Sequence, residues 1–249
     1  MNEFYIGYLP KAPEGIRRRV RLLVAGIWVA GVAGALLFAA AQHNFADSTF
    51  EFGKTKEYRG MIVEEPYPSL VAGAGANAEA NEQSFVLVAP GKHGAESLVN
   101  GFTGKNVRLR GTLIRREEGQ MIEVIPDSIA EAAGTKRNEA AARSLGEFTL
   151  RGEIVDSKCF LGVMNPGEGK VHRDCAVRCI SGGIPPAFVT SDLAGRSKIL
   201  LLTGENGEPL KKELYLSRVA QPVEIKGLVL EANGLLYLQA GPGGITTLR

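Results

Sequence analysis

Apolar positions along this chain fall into one long block and then many short ones. Leu22 to Ala41 reads LLVAGIWVAGVAGALLFAAA, a stretch without a single charge. At about 1.5 Å of rise per residue, a helix of that length crosses the ~30 Å hydrocarbon core of a bilayer. Arg17, Arg18, Arg19 and Arg21 precede it, with Lys11 further up, and His43, Asn44, Asp47 and Glu51 follow. The basic flank stays in the cytoplasm. The pattern therefore predicts a cytoplasmic basic segment at 1–21, a transmembrane anchor at 22–42, and an outward-facing remainder. In a bacterium this is a single-pass inner-membrane protein in contact with lipid, its C-terminal domains in the periplasm. Ala39-Ala40-Ala41 also fits a small-x-small cleavage site, so a removed signal peptide is the alternative. Against it, the preceding basic region is long and the apolar run exceeds the usual signal length. Arg18-Arg19 followed by Val20-Arg21-Leu22-Leu23 offers a poorly flanked twin-arginine export signal as a third reading.

Within the long block, Gly26, Ala30 and Gly34 recur four apart on one helical face. Small residues at that spacing let a second helix approach closely, which points to a membrane-protein partner, although such residues are also common in membrane helices generally.

The short apolar blocks carry the period of strands. They alternate or cluster β-branched and apolar residues and are punctuated by Gly, Pro, Asn and Asp. They also occur twice. Arg59-Gly60-Met61-Ile62-Val63 returns as Arg151-Gly152-Glu153-Ile154-Val155, and Phe85-Val86-Leu87-Val88 as Ile199-Leu200-Leu201-Leu202. Val107-Arg108-Leu109-Arg110-Gly111-Thr112-Leu113-Ile114 returns as Val223-Glu224-Ile225-Lys226-Gly227-Leu228-Val229-Leu230, and each copy ends in a turn and one more strand, Gly119 to Ile125 and Asn233 to Gln239. A glycine inside a strand marks a bulge or a tight bend, as barrel corners require. The fold class is mainly β: an N-terminal transmembrane helix followed by two small OB-like barrels of five strands each, with a β-sandwich of similar length as the alternative. The first β domain spans 43–130. The alanine- and charge-rich stretch at 131–145 is a linker or short helix, and the second β domain spans 146–249.

The offsets between the copies locate an insertion. Gly60 and Gly152 are 92 positions apart, whereas Val107 and Val223 are 116 apart, so the second copy is longer by 24 residues ahead of that block. The extra sequence holds all three cysteines of the chain, Cys159, Cys175 and Cys179, and one of its three histidines, His172. The first copy has Pro66-Tyr67-Pro68 and an alanine/glycine-rich run (71–80) there instead. Sites are commonly built on such elaborated loops over a rigid scaffold.

Asn165-Pro166-Gly167 divides the insertion with a turn, and from His172 to Ile180 there is neither proline nor glycine. A short helix there puts His172, Cys175 and Cys179 on one face. Gly182-Gly183 ends it and Pro185-Pro186 prevents its continuation. Cys159, from the preceding loop, completes a candidate metal set of Cys159, His172, Cys175 and Cys179. Three thiolates and an imidazole suit Zn(II), Cu(I) or an iron–sulfur centre rather than a hard cation. Met164 adds a soft thioether, and Lys158, Lys170, Arg173 and Arg178 are the nearby cations expected to favour thiolates.

The order D-S-x-C, H-x-x-C-x-x-x-C, a glycine pair and V-x-I-x-G, here Asp156, Ser157, Cys159, His172, Cys175, Cys179, Gly182, Gly183, Val223, Ile225 and Gly227, resembles a group of small exported bacterial β domains of uncharacterised function. The resemblance covers 146–249 and implies no activity. A fainter similarity is to copper sites built on C-x-x-x-C with a nearby histidine and methionine, although here the histidine precedes the pair.

Two function classes follow. One is a membrane-anchored, periplasm-facing accessory protein that holds a metal or redox centre, as a subunit of a larger membrane or electron-transfer complex. The other is a structural scaffold whose cysteines staple the loop by a disulfide, as oxidising compartments favour, with one cysteine left over. Reactive thiol redox chemistry is a third reading, but no Cys-x-x-Cys is present. The net charge of +2 over 249 residues, with no basic stretch beyond the N-terminal arginines, argues against nucleic acid. Gly91-Lys92-His93-Gly94 reads as a polar hairpin loop, since it lacks the spacing of a phosphate-binding loop. Glu64-Glu65 and Glu117-Glu118 read as solvated acids. Ser157 and Ser181 lack the strand-elbow context of a nucleophile. No catalytic residue is assigned, and an enzyme is the less favoured reading.

Overall fold

A computed structural model describes residues 12–42, 48–72, 83–117, 119–133, 142–193 and 198–248. The first eleven residues, 43–47, most of the alanine-rich run at 71–80 and the centre of the 131–145 stretch lie outside the described residues. The chain divides into two units, residues 1–46 and 47–249.

The first unit contains α1 (Glu14–Gln42). Among the described residues it is the one helix long and apolar enough to cross a membrane. Leu22, Leu23, Ile27, Trp28, Leu36, Leu37 and Phe38 all stand outward with no protein over them. A helix apolar on every side has no stable home in water. Only its polar start carries an ion pair, from Arg17 to Glu14 at 3.1 Å.

The second unit holds two closed five-stranded barrels. Beside β1 (Ser48–Phe50), the first is built from β2 (Lys56–Val63), β3 (Ser69–Ala72), β4 (Gln83–Val88), β5 (Asn106–Arg116) and β6 (Gly119–Val124), with α2 (Glu96–Val99) between β4 and β5. Its order is β2-β3-β4-β6-β5 and back to β2, antiparallel except for the β4–β6 pair. Both β1 and the short β7 (Ala130–Glu131) add to β5. The second barrel repeats the order with β8 (Arg143–Asp156), β9 (Pro186–Thr190), β10 (Lys198–Thr203), β11 (Pro222–Ala232) and β12 (Leu235–Thr247), and β10–β12 is again the parallel pair. The short strands β1 and β7 escaped the sequence pattern, as did the continuation of β12 past Gln239 to Thr247.

The repeated glycines have a steric cause. Gly111 is where β5 passes from pairing with β2 to pairing with β6, and a Cβ there would overlap Ile122. Its counterpart Gly227 lies at a register shift between β11 and β12, and a Cβ would strike the carbonyl oxygen of Gln239. The expected bulge is thus present in the second copy, whereas the first uses its glycine for close strand crossing.

The length difference between copies also has a plain location. The β2–β3 connection spans 64–68 and the β8–β9 connection spans 157–185, 5 residues against 29, a difference of 24. The insertion is therefore one long hairpin loop leaving the barrel and returning to it.

Three apolar clusters hold the unit together. Ile62, Leu70, Leu87, Val107, Leu109 and Ile122 fill the first barrel. Leu150, Ile154, Phe188, Leu202, Val223 and Leu238 fill the second. The third lies between the barrels, where Tyr67, Val86, Val88, Ile114 and Met121 meet Val155, Phe160, Leu161, Ile184 and Leu201. Strand β4 therefore feeds two cores: Phe85 and Leu87 point into its own barrel, Val86 and Val88 toward the other. Period-two alternation gives each face of a strand one environment, and a strand covered on both faces reads as a continuous apolar run. That is why FVLV, and ILLL in β10, show no polar alternation. The Tyr67 hydroxyl donates to the carbonyl of Leu202 at 2.5 Å across this contact.

Candidate metal centre

The inserted loop sits against this inter-barrel core, and its ends are tied together. The Ser157 hydroxyl donates to the carbonyl of Pro185 at 2.8 Å. Asp156, the last residue of β8, is fully buried. One of its carboxylate oxygens accepts the Cys159 N–H at 2.8 Å, which starts the turn Cys159–Val163. Phe160 and Leu161 of that turn insert into the apolar contact, with the Arg116 guanidinium 4.0 Å above the Phe160 ring.

After the Asn165-Pro166-Gly167 turn, the chain forms a short 3₁₀ turn, Lys170–His172, and then α3 (Arg173–Ser181). The Gly169 N–H donates to Glu153 at 2.6 Å. Burial raises the Glu153 carboxyl above its ordinary range. Ala176 and Ile180 turn one side of α3 into the second barrel's core. Gly182 closes the helix with N–H bonds to the carbonyls of Arg178 and Cys179, and Lys212 donates to the Ser181 carbonyl at 2.9 Å. The helix expected between His172 and Ile180 is present, shifted by one residue at either end.

On the remaining side the candidate ligands converge. Cys159, His172 and Cys175 have their ligand atoms within 4.8 Å of one another, and so do Asp156, Cys159 and Cys179. Cys159 belongs to both groups, so all four predicted residues come together around it. Cys159, Cys179 and His172 are buried and Cys175 is half-buried. All three cysteines are free thiols. The disulfide-stapled loop, the rival expectation for these residues, is not formed.

Asp156 adds what residue types alone did not assign. Its second carboxylate oxygen lies 3.0 Å from His172 Nε2. A carboxylate on one ring nitrogen orients an imidazole and commits the other nitrogen, here Nδ1, as the donor a metal can use. The only sign of this in the sequence was the aspartate's place in the D-S-x-C order.

The second addition comes from the first barrel. Lys92 Nζ donates to Cys175 Sγ at 2.9 Å and to Cys179 Sγ at 3.5 Å. Its hydrogen bond to Cys175 raises the ammonium pKa above the ordinary lysine value. Cys159 and Cys179 share a proton. The bond Cys159 gives to Cys179, with burial and the Asp156 charge, pushes the Cys159 thiol up. The same bond, helped by Lys92, pulls Cys179 down.

Two of the cations the sequence nominated, Lys158 and Arg173, are engaged elsewhere. Lys158 is buried and donates to the carbonyls of Ala89 (2.9 Å) and Gly91 (2.7 Å), with Glu123 at 2.5 Å. Arg173 donates to the Ser217 carbonyl at 2.9 Å. Met164 is 46% exposed, its N–H bonded to the Cys159 carbonyl. The polar hairpin loop expected at 91–94 is present, closed by the Val88–Gly94 bridge and the Ala89 N–H on the His93 carbonyl, and its Lys92 reaches the cysteines.

Fold and site together define a tandem five-stranded-barrel protein whose longer copy carries a buried cysteine–histidine–aspartate cluster able to hold a metal ion. No protein-family model, no curated protein and no solved structure matches the chain.

Proposed function

We propose that this chain is a membrane-anchored accessory protein whose barrels face the periplasm and hold a soft metal ion through Cys159, His172, Cys175 and Cys179, beside a larger membrane or electron-transfer complex. The observation that carries the reading is the buried Asp156–His172 pair with three free thiols around it. A buried imidazole held by a carboxylate, with soft donors within 4.8 Å of a ring nitrogen, is an arrangement that orients a metal ligand. Thiolates and imidazole in that proportion select Zn(II), Cu(I) or iron–sulfur chemistry. No step is assigned to the ion. Asp156 orients His172, and the apolar contact around Phe160, Leu161 and Ile184 keeps water from the Cys159 and Cys179 sulfurs.

The anchor and its sidedness rest on α1 and on Arg17, Arg18, Arg19 and Arg21 at its start. Gly26, Ala30 and Gly34 supply a face for a partner helix, and a Cβ added at Gly26 or Gly34 would meet nothing within 4 Å. The likeness of 146–249 to exported β domains agrees with an outward location.

Elemental analysis of the full chain, purified in detergent under reducing conditions, tests the reading. Stoichiometric Zn, Cu or Fe that is lost in Cys175→Ser supports it. Metal at background level, with a Cys–Cys crosslink found by mass spectrometry, favours the scaffold. Protease accessibility of the barrels in spheroplasts, but not in inverted vesicles, checks the orientation.

A further inference from the structure

Lys92 reaches the cysteines from a loop that the rest of the molecule holds still. Lys158 grips it through the carbonyls of Ala89 and Gly91. The Gly94 N–H donates to the Gly182 carbonyl at 3.1 Å. Gly182 itself has no room for a Cβ, because the Lys92 carbonyl oxygen occupies that space. The second barrel thus clamps the loop on both sides of Lys92, and the ammonium is presented to Cys175 and Cys179 as a fixed charge.

Resting on the metal reading above, we infer that Lys92 sets which ion the centre takes: its charge favours a monovalent soft cation, Cu(I), over Zn(II). Three thiolates and a neutral imidazole around Zn(II) carry one net negative charge. Around Cu(I) the same donors carry two, the thiol protons having left to solvent in both cases. A positive charge at hydrogen-bond distance from two of the sulfurs stabilises both loaded centres and the more negative one further. Lys92 acts through charge alone and is a selectivity residue, not a ligand.

The test is a competition on the full chain in detergent, with Cu(I) and Zn(II) each buffered by a chelator of known affinity. Wild type is compared with Lys92→Met, which keeps the stem and removes the charge, and with Lys92→Arg, which keeps the charge. Lys92 is exposed, and circular dichroism verifies that each variant is folded. The expected result is that Lys92→Met lowers the Cu(I)-over-Zn(II) preference roughly tenfold, as a short-range charge partly screened by solvent would, and that Lys92→Arg retains it. Raising the salt concentration shrinks the wild-type preference but not that of Lys92→Met. An unchanged ratio in Lys92→Met, or Lys92→Arg behaving like Lys92→Met, overturns the inference while leaving the metal centre standing. Failure of the wild type to bind either ion overturns the metal reading itself.

Discussion

Lys92 and Cys175 are 83 positions apart in sequence, yet the ammonium of one lies 2.9 Å from the sulfur of the other. One residue belongs to the β4–α2 loop of the first barrel and the other to α3 of the second barrel's insertion. The cysteine cluster is therefore a property of both copies, although only one copy carries cysteines. Either barrel alone would lack part of the site's electrostatics, which gives a physical reason for the two to be packed through a shared apolar core.

Asp156→Asn separates orientation from ligation. The amide fills the same space and can still accept the Cys159 N–H, but it removes the charge that holds His172 by Nε2. Metal affinity is expected to fall by roughly 10–100-fold, the usual loss for an outer partner of a metal-bound histidine. Chelator competition measures it. Affinity equal to wild type would show that His172 is not held for a metal.

Lys158→Met tests the buried clamp. The Lys158 side chain is 3% exposed and its partner Glu123 20% exposed. Breaking a buried pair from one side leaves an uncompensated charge. Destabilisation by roughly 2–4 kcal/mol in urea unfolding is expected, at the lower end because Glu123 retains some solvent. Adding Glu123→Gln to Lys158→Met should recover part of the loss, and a purely additive double variant would mean the pair is not coupled.

Gly182→Ala probes the close approach of the two barrels. The new methyl would overlap the backbone oxygen of Lys92, and backbone has little freedom to yield. A loss of about 1–3 kcal/mol is expected from overpacking. A spectroscopic probe on the 91–94 loop should also report increased motion. Gly169→Ala is not an equivalent control despite its open surroundings, because its φ of 78° lies in the left-handed region.

The pH dependence of the metal-free chain follows from the proton shared by Cys159 and Cys179. Cys179 is depressed in the folded state, so its contribution to stability is present above the ordinary thiol value near 9 and is lost as pH falls through its lowered value. Cys159 is raised, so its contribution is present below that ordinary value and is lost as pH rises through its elevated one. Taken together, stability is highest near the ordinary thiol value and declines toward both folded values. Urea unfolding across the neutral to alkaline range, with chelator and reductant present, should show lower stability at both extremes. Cys159→Ser with Cys179→Ser should flatten the profile, and an unaltered profile in that variant would sink the shared-proton account.

Tyr67→Phe removes one neutral hydrogen bond between the barrels. The expected cost is about 1 kcal/mol. A much larger loss in calorimetry would mean that the ring, and not the hydroxyl, had been disturbed.

Much of this architecture was legible along the chain because it depends on local spacing. The apolar block of α1, the duplicated strand runs, the excess of 24 residues between β8 and β9, and the helix bearing Cys175 and Cys179 all follow from periodicity and from the positions of Gly and Pro. Gly111 and Gly227 were readable as barrel features because a missing Cβ inside a strand has few other uses. Even the inter-barrel contact left a trace. The runs FVLV and ILLL are apolar on both strand faces, a pattern that calls for cover on both sides.

The electrostatics of the site were not readable in the same way. Lys158 and Arg173, close in sequence to the cysteines, looked like the cations that would act on them. In the structure Lys158 leaves for Glu123 and two carbonyls, and Lys92 takes its expected place. Sequence neighbours on a turn point in different directions, whereas residues brought together by packed surfaces share no local signal.

The sequence by itself determined an apolar helix, a twice-written set of strands, and four metal-type side chains within one inserted loop. Those outcomes need only hydrophobic periodicity, backbone sterics and residue chemistry. Tertiary structure alone decided that the thiols stay unpaired, that Asp156 turns toward His172, and that the first barrel supplies the ammonium over Cys175. The first two depend on how the insertion folds back against the end of β8, and the third on how the two barrels pack through a shared apolar core.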